Sequence, residues 1–216
     1  MTIELYAFPP SPRAFKVMAV ANYLGIETRL HIVDLVKGDQ KTPEFAALNP
    51  NMRMPVLKHG DYVLWESNAI QQYLALRKPE LGLFPGDERK RLDVTRWQFW
   101  DLAHWDAACA IYLFENVVKA IVVKSGEPDP AALARGAELF HRAAKVLDGH
   151  LKGKRFVTGD NLTIADFSLG ASLNFRDMAR LPLEFYPEIR RWHAGLCALP
   201  AWSKTLGESA PAAAAA

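Results

Sequence analysis

The sequence contains little cysteine and no long hydrophobic run. Only two of the 216 residues are cysteines, Cys109 and Cys197, and neither stands in a Cys-x-x-Cys pair, so neither a disulfide framework nor a zinc cluster is indicated. No apolar run approaches the roughly 18 residues that a membrane-spanning helix needs, and the first residues lack the pattern of a signal peptide. We therefore expect a cytoplasmic protein without a membrane partner.

Charge of one sign is also scarce. The 26 basic and 24 acidic residues give a net charge of +2, and the longest basic run is only Arg89–Arg91, so no nucleic-acid surface is indicated. His104 and His193 lack ligand spacing with any other histidine, cysteine or acid, so no metal site is expected. Half of the residues are hydrophobic, which is typical of a globular protein of one or two domains.

The two halves of the chain differ in their patterns. Strand and helix signals alternate over residues 1–81, whereas residues 88–209 are almost entirely helical. The sequence therefore predicts an α/β domain with the order βαβ and then αββα, a linker over 82–87, and an all-helical bundle domain. Residues 210–216 are alanine with one proline and should form a disordered tail.

The first domain should contain a small mixed sheet. Its predicted elements are strands over 3–8 and 28–34, a hairpin over 55–58 and 62–65, and helices over 13–24, 42–48 and 67–76. A helix of about 12 residues separates the first two strands, so these should be parallel. Ser67 is the predicted N-cap of the last helix.

The second domain should begin with a long helix over 88–124. Apolar residues recur every three or four positions from Leu133 to Leu151, which indicates one buried stripe of a second helix. Thr163 and Asp166 have the spacing of a capping box, so a third helix should begin there and run to about residue 180. Helices over 187–198 and 201–206 complete the predicted bundle.

Ser11 stands where the first strand gives way to the first helix. Its hydroxyl would lie beside helix amides that carry positive partial charge, an environment that stabilises a bound thiolate. Ser11 followed by Pro12 is equally the pattern of an ordinary N-cap. Both interpretations remain open from the sequence.

Three further features of the first domain suit a small peptide ligand. Pro55 opens a hairpin strand and is a possible cis site, which would leave the Met54 backbone free to pair with an extended ligand; the alternative is an edge-strand trans proline. Glu66 and Ser67, at a helix start, suit a ligand with ammonium and carboxylate groups, although the pair could be only a cap. Lys41 could pair with a second carboxylate or could simply be solvated.

These residues carry a family resemblance that covers essentially the whole chain. The sequence resembles the cytosolic glutathione transferases, and Ser11 with the following Lys16 and Val17 is similar to their serine-type classes, theta, phi and delta-like. The other matching elements are Asn49-Pro50, Met54-Pro55, Glu66-Ser67 and the second-domain signature over 159–166. The resemblance implies a thioredoxin-like domain followed by a helical domain, glutathione as co-substrate with no tightly bound cofactor, and a homodimer.

The resemblance also implies roles for individual residues. Ser11 would hold the glutathione sulfur as a thiolate for attack on a small hydrophobic electrophile. The binding residues would be Glu66 for the α-ammonium, Ser67 for its carboxylate, the Met54 backbone before Pro55 for the cysteinyl amides, and Lys41 with Arg53 for the glycine end. Met52 and Met54 depart from the glycine and the valine or isoleucine common in the family, so the loop could approach the ligand differently.

Alternatives remain for the thiol partner, the electrophile pocket and the reaction. Tyr6 is the rival to Ser11, as in tyrosine-type classes, or else a core aromatic. Arg13, Trp105 and Tyr112 are candidates for the electrophile pocket, although the last two could equally be bundle core. The same fold also supports glutathione-dependent peroxide reduction, dehalogenation or ether cleavage, and non-catalytic ligand-binding or interaction proteins.

Overall fold

The computed structural model describes residues 1–209, so the tail predicted over 210–216 lies outside the described residues. The chain divides into two compact units. The first contains Met1–Phe84 together with residues 198–209, and the second contains Pro85–Cys197. None of the helices within residues 1–209 is long and apolar enough to cross a bilayer.

The first unit is built on a four-stranded mixed sheet in the order β2-β1-β3-β4. Its elements are β1 (Ile3–Ala7), α1 (Pro12–Leu24), β2 (Thr28–Ile32), α2 (Pro43–Leu48), β3 (Val56–His59), β4 (Tyr62–Trp65) and α3 (Ser67–Ala75). β1 runs parallel to β2 and antiparallel to β3, which pairs antiparallel with β4. The predicted parallel pair, hairpin and order of elements are thus confirmed.

The two faces of this sheet bury different side chains. Ile3, Leu5 and Ala7 of β1 are buried at alternate positions, as a period-two strand requires when one face is covered. The side chains between them are half-buried, and Tyr6 packs against a second cluster built around Val33, Phe45 and Val56. Both faces of β1 therefore contribute to the core.

The last helix, α10 (Pro200–Ser209), packs against α1 within the first unit. The Trp202 ring lies edge-on to Phe15 at 4.9 Å between ring centroids. The Asn22 side-chain amide donates to Thr205 Oγ1 and to Glu208 Oε2, both at 2.8 Å. The sequence predicts this helix to be part of the bundle, because helical periodicity shows that a face is buried but not which element covers it.

The second unit is a helical bundle, as predicted. Its α-helices are α4 (Glu88–Trp100), α5 (Asp106–Leu113), α6 (Pro130–Leu151), α7 (Ile164–Ala171), α8 (Arg176–Ala179) and α9 (Pro187–Cys197). The predicted long helix over 88–124 is present, but π-helical turns occupy Asp101–Trp105 and Phe114–Val123. The α6 stripe is buried at Phe140, Ala144, Leu147 and Leu151, as predicted, and shifts to Ala132 and Gly136 near its start.

The capping box predicted at the start of α7 is formed. Asp166 is fully buried, and its Oδ2 accepts from the Thr163 N–H at 2.9 Å and from the Thr163 hydroxyl at 3.2 Å. Its Oδ1 accepts from the Val157 N–H at 2.8 Å and from Trp192 Nε1 at 2.9 Å. One carboxylate therefore joins the loop before α7, the helix itself and α9.

Candidate functional site

The strand register brings the candidate residues of the first domain to one edge of the sheet. Because β1 and β4 are both antiparallel to β3, the ends of β1 and β4 lie at the same edge as the start of β3. The end of β2 lies there as well, since β2 is parallel to β1. This edge, here called the site edge, carries Ser11 after β1, Lys41 after β2, the loop Arg53–Pro55 before β3, and Glu66 and Ser67 after β4.

Ser11 occupies the N-cap position of α1, in an extended conformation with φ −74° and ψ 133°. Its backbone takes part in the turn, since its N–H donates to the Phe8 carbonyl and its own carbonyl accepts from the Phe15 N–H, both at 2.8 Å. Its half-buried side chain makes no capping hydrogen bond to the helix. The hydroxyl is therefore not used as an ordinary N-cap uses it.

Tyr6, the rival to Ser11, is packed within the sheet. Its ring stacks on His31 of the neighbouring strand, with 4.5 Å between ring centroids and 9° between ring planes. It also packs against the cluster of Val33, Phe45 and Val56. This arrangement is that of a cross-strand packing residue.

The loop before β3 is held in shape by Asn49. This side chain is buried, and its Nδ2 donates to the Arg53 carbonyl at 2.6 Å, while its Oδ1 accepts from the Asn51 N–H at 3.0 Å. The Met54–Pro55 peptide bond is cis, the form that the sequence allowed for, and Met52 takes a positive φ of 51°. Within residues 1–209, no backbone hydrogen bond outside helices and strands uses the Met54 N–H or carbonyl.

Glu66 and Ser67 mark the start of α3, with one correction. The N-cap is Glu66, and Ser67 is the first helical residue, so the prediction of Ser67 as N-cap is wrong. Glu66 has φ 71° and ψ 111°, a backbone conformation that non-glycine residues rarely adopt. Its side chain is exposed, whereas Ser67 is 4% exposed. The turn thus places a carboxylate and a hydroxyl beside the N-terminal amides of a nine-residue helix.

The remaining cations of the site edge are at the surface. Lys41 ends a short 3₁₀ turn after β2 and is exposed. Arg53 is also exposed, and its backbone rather than its side chain is tied to Asn49. Arg13 is exposed on the first turn of α1.

Trp105 and Tyr112 belong to the core of the helical bundle. Trp105 is fully buried, its indole N–H donates to the Leu169 carbonyl at 2.9 Å, and its ring packs on Phe140. Tyr112 is 8% exposed and also packs on Phe140. Burial raises the pKa of Tyr112 above its ordinary value, so the phenol stays neutral. Of the two interpretations left open by the sequence, the structure supports the core for Trp105, which offers no surface to a ligand.

Asn49 is the residue whose role the sequence did not suggest. Asn49-Pro50 enters the sequence analysis only as a family match, which does not predict the hydrogen bonds of the Asn49 side chain to the loop. The available signal was the tendency of asparagine to bond its own backbone two residues on. Within residues 1–209, no three histidine, cysteine or acidic side chains are grouped so that they could share a metal ion.

Comparisons with known proteins agree on one family. Residues 1–76 match the model described as glutathione S-transferase, N-terminal domain, and residues 130–195 match its C-terminal domain. The chain is similar to glutathione S-transferase D7 of Drosophila melanogaster, with 30% identity over 94% of this chain and 88% of that protein. It is also similar to glutathione S-transferase 3 of Zea mays, with 32% identity over 94% of this chain and 93% of that protein.

A solved structure gives the same picture of the fold. The glutathione transferase URE2P6 from Phanerochaete chrysosporium, determined in complex with oxidized glutathione, is 28% identical to this chain and has a TM-score of 0.85. The match covers 97% of this chain and 96% of that one. The thioredoxin-like sheet followed by a helical bundle is therefore the fold expected from the sequence.

Proposed function

Because the chain belongs to the glutathione S-transferase family, we propose that it binds glutathione at the site edge and uses Ser11 to hold the thiol as a thiolate. The thiolate then attacks a small hydrophobic electrophile. The single observation that carries this proposal is the Ser11 side chain, which stands at the start of α1 without capping it. That hydroxyl remains available to donate to a sulfur.

The energy required is within reach of this arrangement. A free thiol has a pKa of about 8.5, so only a few per cent is ionised at pH 7. Lowering the pKa by about 2 units requires roughly 2.7 kcal/mol. A hydroxyl hydrogen bond to a charged acceptor contributes about 1.5–3 kcal/mol, and a helix N-terminus adds about 0.3–1 kcal/mol. Together these contributions match the requirement without a metal or a bound cofactor.

The γ-glutamyl end of glutathione carries an ammonium and a carboxylate, and the turn at Glu66 suits both. The exposed Glu66 carboxylate would pair with the ammonium, and the Ser67 hydroxyl with the first amides of α3 would bind the carboxylate. The unusual backbone conformation of Glu66 supports this assignment, because such conformations concentrate at ligand-binding turns.

The rest of the tripeptide would run along the loop before β3. The Met54 backbone, with no other partner in the described loops, would pair with the cysteinyl N–H and carbonyl as a strand pairs with a strand. Asn49 fixes this segment, so the peptide meets a preformed edge. Lys41 and Arg53 would bind the glycine carboxylate as exposed cations, the weaker part of the site.

The electrophile would lie beside the sulfur. Arg13, on the exposed first turn of α1, is the candidate to contact it. Conjugation is the reaction of the related transferases, and an activated thiolate would equally serve peroxide reduction, dehalogenation or ether cleavage. We propose a cytoplasmic location, where glutathione is reduced and abundant.

The γ-glutamyl assignment predicts a loss of binding. Glu66→Ala and Ser67→Ala should each weaken glutathione binding by about 1.5–3 kcal/mol, or roughly 10- to 150-fold in Kd, because each removes a charge-assisted contact. Isothermal titration with glutathione measures the effect, and retention on immobilised glutathione should fall in parallel. Glu80→Ala removes an exposed carboxylate from the same unit and serves as the matched control. Unchanged affinity in both test variants would remove this assignment.

We also propose a homodimer in which the first domain of each subunit meets the helical domain of the other. Each unit has exposed apolar side chains that suit such an interface. Trp65 on the edge strand β4 is 39% exposed, and Phe99 on α4 is 68% exposed. Large exposed aromatic residues of this kind are typical of association surfaces.

Light scattering tests the dimer. The protein at micromolar concentration should have twice the 24.1 kDa mass of the chain. Phe99→Asp should give monomers, because it places a charge in the proposed interface. Phe185→Asp, which changes an equally exposed phenylalanine elsewhere in the bundle, should remain dimeric. A wild-type mass of one chain would contradict the proposal.

A further inference from the structure

A cavity within the helical unit contains the second cysteine. It has a volume of about 550 Å³, within the range of small-molecule sites. Its apolar wall comes from the segment that connects α7 to α9, with Leu173, Leu181 and Leu183. Cys197 lies in the lining, half-buried, and we call this space the Cys197 cavity.

Three chemically active residues share one face of α9. Arg190, His193 and Cys197 are spaced by three and four positions, so their side chains lie on the same side of the helix. The Cys197 sulfur is 3.7 Å from His193 Nδ1 and 3.8 Å from Nε2. All three residues line the cavity, which therefore contains a thiol in contact with an imidazole.

The charges of the lining are balanced. Arg176 and Arg190 supply two guanidinium groups, and Asp177 and Glu184 supply two carboxylates. Arg176 pairs with Asp177 at 3.7 Å, whereas the Arg190 guanidinium forms no ion pair with any residue in 1–209. Such a lining suits a ligand that itself carries both carboxylate and ammonium groups, with one carboxylate placed on Arg190.

We propose that the Cys197 cavity binds the disulfide of a small zwitterionic thiol peptide and that Cys197 exchanges with it. The Cys197 thiolate attacks one sulfur of the bound disulfide, and a new sulfur–sulfur bond forms as the old one breaks. Cys197 is oxidised to a mixed disulfide, the released half is reduced to a thiol, and that thiol takes up the proton lost by Cys197. This site is separate from the site edge and does not depend on the glutathione site proposed there.

The surroundings of Cys197 make its thiol slow to react unless the disulfide first binds in the cavity. Burial raises the pKa of the Cys197 thiol, and the nearby Arg176 only partly opposes this effect. A thiol with a raised pKa is little ionised at neutral pH and reacts slowly with reagents that meet it by collision. Fast exchange therefore requires that the cavity holds the disulfide next to the Cys197 sulfur. The observed rate constant should then reach a plateau as the disulfide concentration rises.

The experiment uses the full reduced protein and glutathione disulfide as the probe. Intact-mass measurement should show one glutathionyl group per chain, reversed by a reductant. The modification should be lost in Cys197→Ser and retained in Cys109→Ser, which removes the buried cysteine at 3% exposure. Peptide mapping of the wild type assigns the position even if a cysteine variant fails to fold. Modification at Cys109, or at neither cysteine, would overturn the proposal.

The role of the cavity is tested by comparing two disulfides. Arg190→Gln should slow modification by glutathione disulfide about tenfold, as expected for loss of one charge-assisted contact. It should leave the rate with the uncharged bis(2-hydroxyethyl) disulfide unchanged. In Glu66→Ala, glutathione disulfide should modify Cys197 at the wild-type rate. This result would show that the Cys197 cavity acts separately from the site edge. Specific binding would be overturned if the rate of modification by glutathione disulfide rises linearly with its concentration without a plateau. It would also be overturned if Arg190→Gln does not change that rate.

Discussion

Alanine in place of Ser11 is expected to lower turnover at pH 7 by roughly ten- to a thousandfold, with little change in glutathione affinity. The loss follows from removal of one hydrogen-bond donor to a resting or developing anion. Affinity should survive because the ammonium, the carboxylates and the peptide groups of glutathione are bound elsewhere on the site edge. The variant should therefore separate binding from activation of the thiol.

The decisive measurement is the pKa of the bound thiol. Thiolate absorbance of the binary complex, titrated against pH, should show a pKa well below 8.5 in the wild type and a value near 8.5 in Ser11→Ala. Activity of the variant should recover partly as the pH rises, because hydroxide then ionises the thiol. The change in titration and the change in turnover should agree in size.

Tyr6→Phe provides the matched control. It removes a hydroxyl from the same unit while keeping the ring that stacks on His31. We expect it to leave the thiol titration almost unchanged. If Tyr6→Phe shifts the titration and Ser11→Ala does not, the assignment of Ser11 is wrong and Tyr6 is the thiol partner.

Asp166→Ala is expected to produce the largest loss of stability of any single change considered. It would remove the acceptor of buried N–H donors on Val157, Thr163 and Trp192. Each buried donor left without a partner costs about 1–3 kcal/mol. The expected loss is about 3–5 kcal/mol, a large part of the 5–15 kcal/mol typical of a whole domain.

Urea unfolding followed by far-ultraviolet circular dichroism measures this loss. Asp160→Ala is the control, because it makes the same chemical change at an exposed position of the same loop. The control should stay within about 0.5 kcal/mol of the wild type. A similar, small effect of both substitutions would show that the Asp166 hydrogen bonds do not stabilise the bundle.

The pH dependence of stability gives a separate test of Asp166. Burial raises the pKa of this carboxyl from 3.8 to about 6, with its four hydrogen bonds opposing the shift. The folded protein therefore keeps the proton where the unfolded chain has lost it, so this stabilising contribution is full below pH 3.8 and declines as pH rises through 6. The wild type should lose about 2 kcal/mol relative to the non-titrating Asp166→Asn between pH 4 and pH 7.

Comparing the wild type with Asp166→Asn cancels the contribution of buried His193 to the pH dependence of stability. Burial lowers the pKa of His193 to about 4, with Arg176 adding to the shift, so its contribution to stability is present above pH 6.5 and is lost as the pH falls. Both proteins contain His193, and the difference between them cancels this opposite trend. If the wild type instead gains stability relative to Asp166→Asn as the pH rises, the pKa of Asp166 is not raised.

Much of the fold could be predicted because short-range physics determines it. Alternation in β1, the helix between β1 and β2, the hairpin and the Thr163–Asp166 box each depend on residues within a few positions of one another. The order of the strands then follows from connection lengths. The convergence of Ser11, Met54 and Glu66 on one edge was accessible by the same route.

The features that could not be predicted depend on partners distant in sequence. Trp105 has the same spacing whether its helix face meets a ligand or α6, and only its packing on Phe140 distinguishes the two. The attachment of α10 to α1 likewise depends on contacts between Phe15 and Trp202, far apart in the chain. The spacing of apolar residues indicates which face of a helix is buried but not which element or ligand covers that face.

The position of α10 has a consequence for how the chain is made. Synthesis proceeds from the N-terminus, so the sheet and α1 leave the ribosome well before Trp202, the side chain that covers Phe15. During that interval the face of α1 that α10 later covers is open, while the second unit, which lies between them in the sequence, is synthesised. The core of the first unit is thus completed only after the second unit has been synthesised, and a fragment cut at Phe84 would retain that open face permanently.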